Sequence, residues 1–78
     1  MSSRHSKNII GSRVREARES HVPPLTQAQL SAELARKAVT IARAGIAKVE
    51  LGERSVYDFE VKAFAAVLGV TVEWLMDC

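Results

Sequence analysis

The sequence predicts an all-α fold. Three observations carry this reading. Apolar residues recur three and four positions apart in successive segments. No segment sustains the every-second-residue alternation of a half-buried strand. Helix start and stop residues punctuate the chain at short intervals. At 78 residues the chain is one domain, shorter than the usual mode of about 100–150 residues. With 47% apolar and 26% charged residues it is globular rather than disordered. Its only aromatics are Tyr57, Phe59, Phe64 and Trp74, so the core must be built mainly from Val, Ile, Leu and Ala.

The elements follow in order. Residues 1–7 are polar and basic without periodicity and read as a mobile arm, leaving 8–78 as the folded domain. Asn8 is positioned to cap a first helix whose apolar stripe is Ile10, Val14 and Ala17, and which stops near Ser20. Pro23-Pro24 forbids continuation. Thr26, with Gln29 three positions on, forms a capping box. Leu30, Leu34 and Ala38 then repeat every four residues, predicting a second helix over 27–38. The β-branched run Val39-Thr40-Ile41 weakens helix, and a third helix runs over 42–51 with Ile46 and Val49 inward and Gly52 just past its end. Asp58 is the expected cap of a fourth helix carrying Val61, Phe64, Ala65 and Leu68, stopped by Gly69. Thr71 caps a short fifth helix with Val72, Trp74, Leu75 and Met76.

Composition and spacing remove most function classes. His5 and His21 have no partner at zinc-ligand spacing, no Gly-rich phosphate loop follows a strand, and no metal site or other cofactor site is expected. The single cysteine, Cys78, has no context that would activate its thiol. The carboxylates are scattered over helix surfaces, so no enzyme is expected. No apolar run approaches the roughly 18 residues of a membrane span, and the expected setting is cytoplasmic.

Charge is more informative than its +2 total. Up to Lys48 there are nine Lys/Arg against three acidic residues, a net of +6; from Val49 onward there are two against six, a net of −4. Such asymmetry marks a solvated surface or a face for a polyanion.

Three segments then stand in order: Leu25-Thr26-Gln27 with Leu30-Ser31; Ile46-Ala47-Lys48-Val49-Glu50-Leu51-Gly52; and Leu68-Gly69-Val70 leading to Leu75. Together they resemble the Cro/repressor (XRE) helix-turn-helix family of transcription regulators, whose pattern runs Leu-Thr-Gln-x-x-Leu-Ala, Ile-x-x-Ile-Glu-x-Gly and Leu-Gly-Val-x-x-x-x-Leu. The resemblance spans about Ile10 to Met76. It implies a five-helix, lambda-repressor-like domain that binds double-stranded DNA, with the third helix reading the major groove.

Under that resemblance Arg43, Ala44, Ala47 and Lys48 lie on the outward face of the recognition helix. Arg43 suits guanine, the alanines suit a thymine methyl, and Lys48 reaches a base or a phosphate. Gln27 at the start of the second helix, with Arg54 and Ser55 after the third, are expected at phosphates. Arg4, Lys7 and Arg13 could add contacts, although a non-contacting tail is the simpler reading of Arg4 and Lys7. The family pairs an Arg late in the first helix with the Glu of Ile-x-x-Ile-Glu, which implies an Arg18–Glu50 ion pair that orders the third helix and aims Arg18 at a phosphate, or serves structure alone. Most members dimerise on half-sites about 34–36 Å apart; Val72, Trp74, Met76 and Phe59 are candidates for a homodimer surface, with Trp74 equally suited to the core. The alternatives are an antitoxin-like, phage-element or restriction-associated protein whose main partner is another protein, and an interaction module without DNA affinity.

Two departures from the family pattern matter. Thr26 to Glu50 is roughly five positions longer than the usual spacing, which predicts a second helix lengthened by about one turn. Thr40 stands where the family's turn usually has Gly. Gly45 inside the third helix costs roughly 0.5–1 kcal/mol against Ala, which calls for a close approach there, to DNA or to the second helix.

Overall fold

The computed structural model describes residues 7–77, and these form five α-helices with no strand among them. They are α1 (Gly11–Ser20), α2 (Gln27–Arg36), α3 (Arg43–Glu50), α4 (Asp58–Leu68) and α5 (Val72–Met76). No helix among the described residues is long and apolar enough to cross a membrane. The arm expected over 1–7 lies outside the described residues except for Lys7, and so do Arg4, His5 and Cys78.

The predicted stripes meet in one core. Ile10, Val14, Leu30, Leu34, Ile46, Val49, Phe64 and Leu75 are fully buried. Phe64 of α4 is the one aromatic among them, and truncating it to Ala would cost about 3–5 kcal/mol. α3 is only eight residues long, too short to hold a helix in water by itself. It persists because Ile46 and Val49 anchor it against α1 and α2.

The capping chemistry follows the sequence closely. Thr26 Oγ1 accepts from the Gln29 N–H at 3.0 Å, and Gln29 Oε1 accepts from the Thr26 N–H at 2.8 Å. Thr71 Oγ1 accepts from the Trp74 N–H at 3.0 Å. Each cap contributes about 1 kcal/mol. Gly52 and Gly69 both take the left-handed conformation that ends α3 and α4. The cap position of α1 is held by Ile10, without a side-chain cap bond of its own; the expected Asn8 stands two residues earlier, where its Oδ1 accepts from the N–H groups of Ile10 and Gly11.

Two boundaries and one packing contact differ from expectation. α2 ends at Arg36, two residues before Ala38, because Lys37 closes the last turn and Ala38 adopts φ 63°. The high helix propensity of Ala38 is overridden by Val39 and Ile41, which must turn back to reach the core, where they are 7% and 4% exposed. α2 is therefore shorter than expected, residues 37–42 form a link instead, and the Ser31 hydroxyl pins that link by donating to the Ile41 carbonyl at 2.6 Å. Asp58 is the first residue of α4 rather than its cap. Tyr57 holds the cap position, and its N–H donates to the Glu60 carboxylate at 3.0 Å. Finally, Gly45 faces Ile41: a Cβ there would lie 3.0 Å from Ile41 Cγ2, so the close neighbour is the link and not α2.

Gly11 has a sharper role. A Cβ at this position would run into the backbone carbonyl oxygen of Val49. The start of α1 thus lies directly against the end of α3, and only glycine permits it. Gly11→Ala is expected to lower stability by roughly 1–3 kcal/mol, whereas Ala38→Gly, which relieves a left-handed alanine, should add about 1 kcal/mol. Thermal melts of the two variants should move in opposite directions from the parent; a shared direction would contradict these packing assignments.

Candidate functional site

The site is built around the last residue of α3. Glu50 receives three donors: Arg18 Nε at 2.7 Å, Arg18 Nη2 at 3.1 Å and Gln27 Nε2 at 3.0 Å. A fourth bond runs from Arg18 Nη1 to the Leu25 carbonyl at 2.9 Å. The side chains of Arg18 and Glu50 retain only 12% and 4% of their exposure. The expected ion pair is therefore present, bidentate and mostly buried. The Glu50 hydrogen bond, opposed by burial and aided by the charges of Glu50 and Glu19, raises the Arg18 pKa above its ordinary value.

This network places Gln27. Its amide is tied to Glu50 and is half-buried at the first position of α2. One amide hydrogen and the carbonyl oxygen remain for another partner. Arg18 is committed to Glu50 and Leu25 and stands beside Glu19 at 3.8 Å.

On α3, Ile46 and Val49 point inward with no exposure, while Arg43, Ala44 and Lys48 are exposed and Ala47 is partly exposed. At helical spacing these four span an arc of about 140°. The arc forms a ridge between two surface depressions. One is lined by Arg43 with Arg18, Glu19, Pro24, Leu25, Thr26, Gln27 and Ala28. The other is lined by Ala44, Gly45 and Lys48 with Lys7, Arg54 and Ser55. The candidate residues on α2, α3 and the following loop thus share one side of the molecule.

Arg54 is less free than its sequence position suggests. Its Nη1 and Nη2 donate to the two Glu60 oxygens, each at 3.2 Å, and Nη1 also donates to the Ser55 carbonyl. Glu60 is 4% exposed. Burial disfavours its charge, but the Arg54 hydrogen bond, the Tyr57 N–H and the Arg54 charge outweigh burial and hold its pKa below the ordinary value.

The candidate assembly residues divide. Val72 and Met76 line a mainly apolar depression of about 400 Å³ with Ile9, Ile10, Val56 and Val61, bordered by Lys7, Asn8, Asp58 and Lys62. Trp74 stands apart from it, partly buried, with the Arg13 guanidinium 4.4 Å from its ring centroid. Arg13 also reaches Asp77 at 3.9 Å, so its charge serves the α1–α5 contact. Phe59 is 56% exposed and stacks on Tyr57 with centroids 5.8 Å apart. Leu75 is fully buried in the core.

Two roles had little signal in the sequence. Asn8, besides accepting from the Gly11 N–H at the start of α1, donates through Nδ2 to the carbonyls of Val49 and Arg54 at 3.1 and 2.8 Å. Lys7 donates its backbone N–H to the Gly52 carbonyl at 2.7 Å. An Asn before an apolar stripe signals a cap; nothing local signals the contacts across to residues 49–54. Among the described residues no group of three or more His, Cys, Asp or Glu could hold a metal ion.

Comparison with protein-family models, curated proteins and solved structures gives no match to this chain.

Two predictions follow from the buried pairs. Glu50→Ala, which leaves Arg18 buried without its carboxylate, should cost about 3–5 kcal/mol in urea unfolding; an unchanged midpoint would contradict the role of Glu50. Glu60 has a lowered folded pKa, so its contribution to stability is full above the ordinary value of 4.5 and is lost as pH falls through the folded value. Stability of the parent chain should therefore fall more steeply below pH 4.5 than that of Glu60→Gln; parallel pH profiles would show that Glu60 carries no such linkage.

Proposed function

We propose that the protein is a DNA-binding transcription regulator of the repressor kind, with a lambda-repressor-like helix-turn-helix in which α3 enters the major groove of double-stranded DNA. The observation that supports this best is the α3 ridge. Its outward arc carries a cation at each end, Arg43 and Lys48, with only alanine between them. Small residues let the helix approach base edges, and an Arg in the first turn has the fork geometry for guanine. The flanking depressions suit the two phosphate strands that border the groove. Under this proposal the chain carries out no reaction and works in the cytoplasm.

Within this reading the residues take different tasks. Arg43, Ala44 and Ala47 read bases. Gln27 holds a phosphate with its remaining amide hydrogen and the free N–H groups at the start of α2. Arg18 and Glu50 hold Gln27 and α3 in register. The apolar depression beside Val72 and Met76 serves a second copy of the chain, which would supply the second half-site. It would equally seat a different protein, as in an antitoxin-like regulator.

Selection of bound duplexes from a random pool should return a defined sequence. Against that sequence Arg43→Ala should lose discrimination at one position, worth about 1–3 kcal/mol, while Gln27→Ala should weaken all sequences alike. Equal loss across sequences for both variants would reject the assignment of tasks. Sedimentation should show dimers that Met76→Glu dissociates; a parent chain monomeric at high micromolar concentration would contradict the homodimer.

A further inference from the structure

The depression on the Lys48 side of α3 holds a residue that sequence reasoning set aside. Lys7 precedes α1 and reads as part of a tail. Its backbone N–H is nevertheless bonded to the Gly52 carbonyl, and its neighbour Asn8 is held by the carbonyls of Val49 and Arg54. The chain leading into α1 is thereby laid across the end of α3. This brings Lys7 beside Lys48, Arg54 and Ser55 in one depression, with Glu53 as its only acidic member.

The three cations of this depression are not equivalent. The Arg54 guanidinium is committed to Glu60 and to the Ser55 carbonyl. Lys7 and Lys48 are exposed and enter no ion pair with any described carboxylate. Lys7 and Lys48 thus both line a solvent-open depression beside the small residues Ala44 and Gly45, and Lys7 also borders the apolar depression next to it. An ammonium suits a phosphate as a point charge.

We infer that this depression is a backbone-phosphate site, in which Lys7 and Lys48 together hold the DNA strand that runs along the Lys48 side of α3. The inference rests on the DNA-binding reading above and deepens it. Lys48 becomes a phosphate ligand rather than a base reader. Lys7 becomes part of the interface, positioned by Gly52 and Asn8. Arg54 is a positioning residue: its pairing with Glu60 holds the loop that forms one side of the pocket.

Salt titration tests this. The binding constants of the parent chain, Lys7→Ala, Lys7→Gln, Lys48→Ala and Lys37→Ala are measured between about 50 and 200 mM salt. The probes are the selected duplex and a scrambled duplex of equal length. For Lys7→Ala, Lys7→Gln and Lys48→Ala, the slope of log K on log salt should become shallower by about one, with affinity for the two duplexes falling by the same factor. Lys37, which is exposed and lies outside this depression, the one beside Arg43 and the apolar one, should leave the slope unchanged. The Lys7 variants keep the backbone bond to Gly52 and should melt with the parent chain. A parent chain with a steep slope that the Lys7 variants retain overturns the inference while sparing the DNA reading. Loss confined to the selected duplex in Lys48→Ala overturns the phosphate role of Lys48. A parent chain that binds neither duplex overturns the DNA reading and the inference together.

Discussion

The structure depends on one carboxylate. Glu50 collects two hydrogen bonds from Arg18 and one from Gln27, and so joins the end of α1, the start of α2 and the end of α3. Burying such a pair is costly, and apolar side chains of the same volume would often be as stable or more so. What a hydrogen-bonded carboxylate adds is direction. Ile46 and Val49 alone would let an eight-residue helix slide or rotate in its apolar seat. The fork of Arg18 and the amide of Gln27 fix the end of that helix against two other elements. On the opposite side Gly11 and Asn8 clamp the same turn, the first by letting α1 touch the Val49 carbonyl and the second by bonding to it.

This arrangement changes the meaning of the charge split along the chain. The acidic second half is not simply a negative surface. Glu50 pairs with Arg18, Glu60 with Arg54 and Asp77 with Arg13. Part of the positive first half is likewise consumed inside the fold. Arg43, Lys48 and Lys7 enter no such pair among the described residues, and they border the outward side of α3. Of the five cations without an ion pair among the described residues, three thus border α3, while Lys37 and Lys62 line neither depression beside it.

Much of the fold was legible because it is written in local chemistry. The Thr26–Gln29 box, the Thr71 cap, the left-handed Gly52 and Gly69 and the stripes of α1 and α4 are all decided within a few residues. The Arg18–Glu50 pair is nonlocal and was reached through a resemblance, not through spacing. What failed locally failed for a tertiary reason. Ala38 favours helix, yet it turns left-handed so that Val39 and Ile41 reach the core. Arg54 looks like a free cation after a helix, and only the fold brings Glu60 to it. Lys7 looks like tail because its anchor, Gly52, lies far along the chain.

The central claim is that the clamped α3 presents one basic face to double-stranded DNA. Amide chemical-shift mapping on titration with a short duplex tests it most directly. The account predicts shifts concentrated at Arg43, Ala44, Ala47 and Lys48, at Gln27 and Ala28, and at Lys7 and Ser55, with Val72 to Met76 unmoved by DNA in a dimer already formed. Shifts centred on α4 and α5, or none at any duplex concentration, would contradict it.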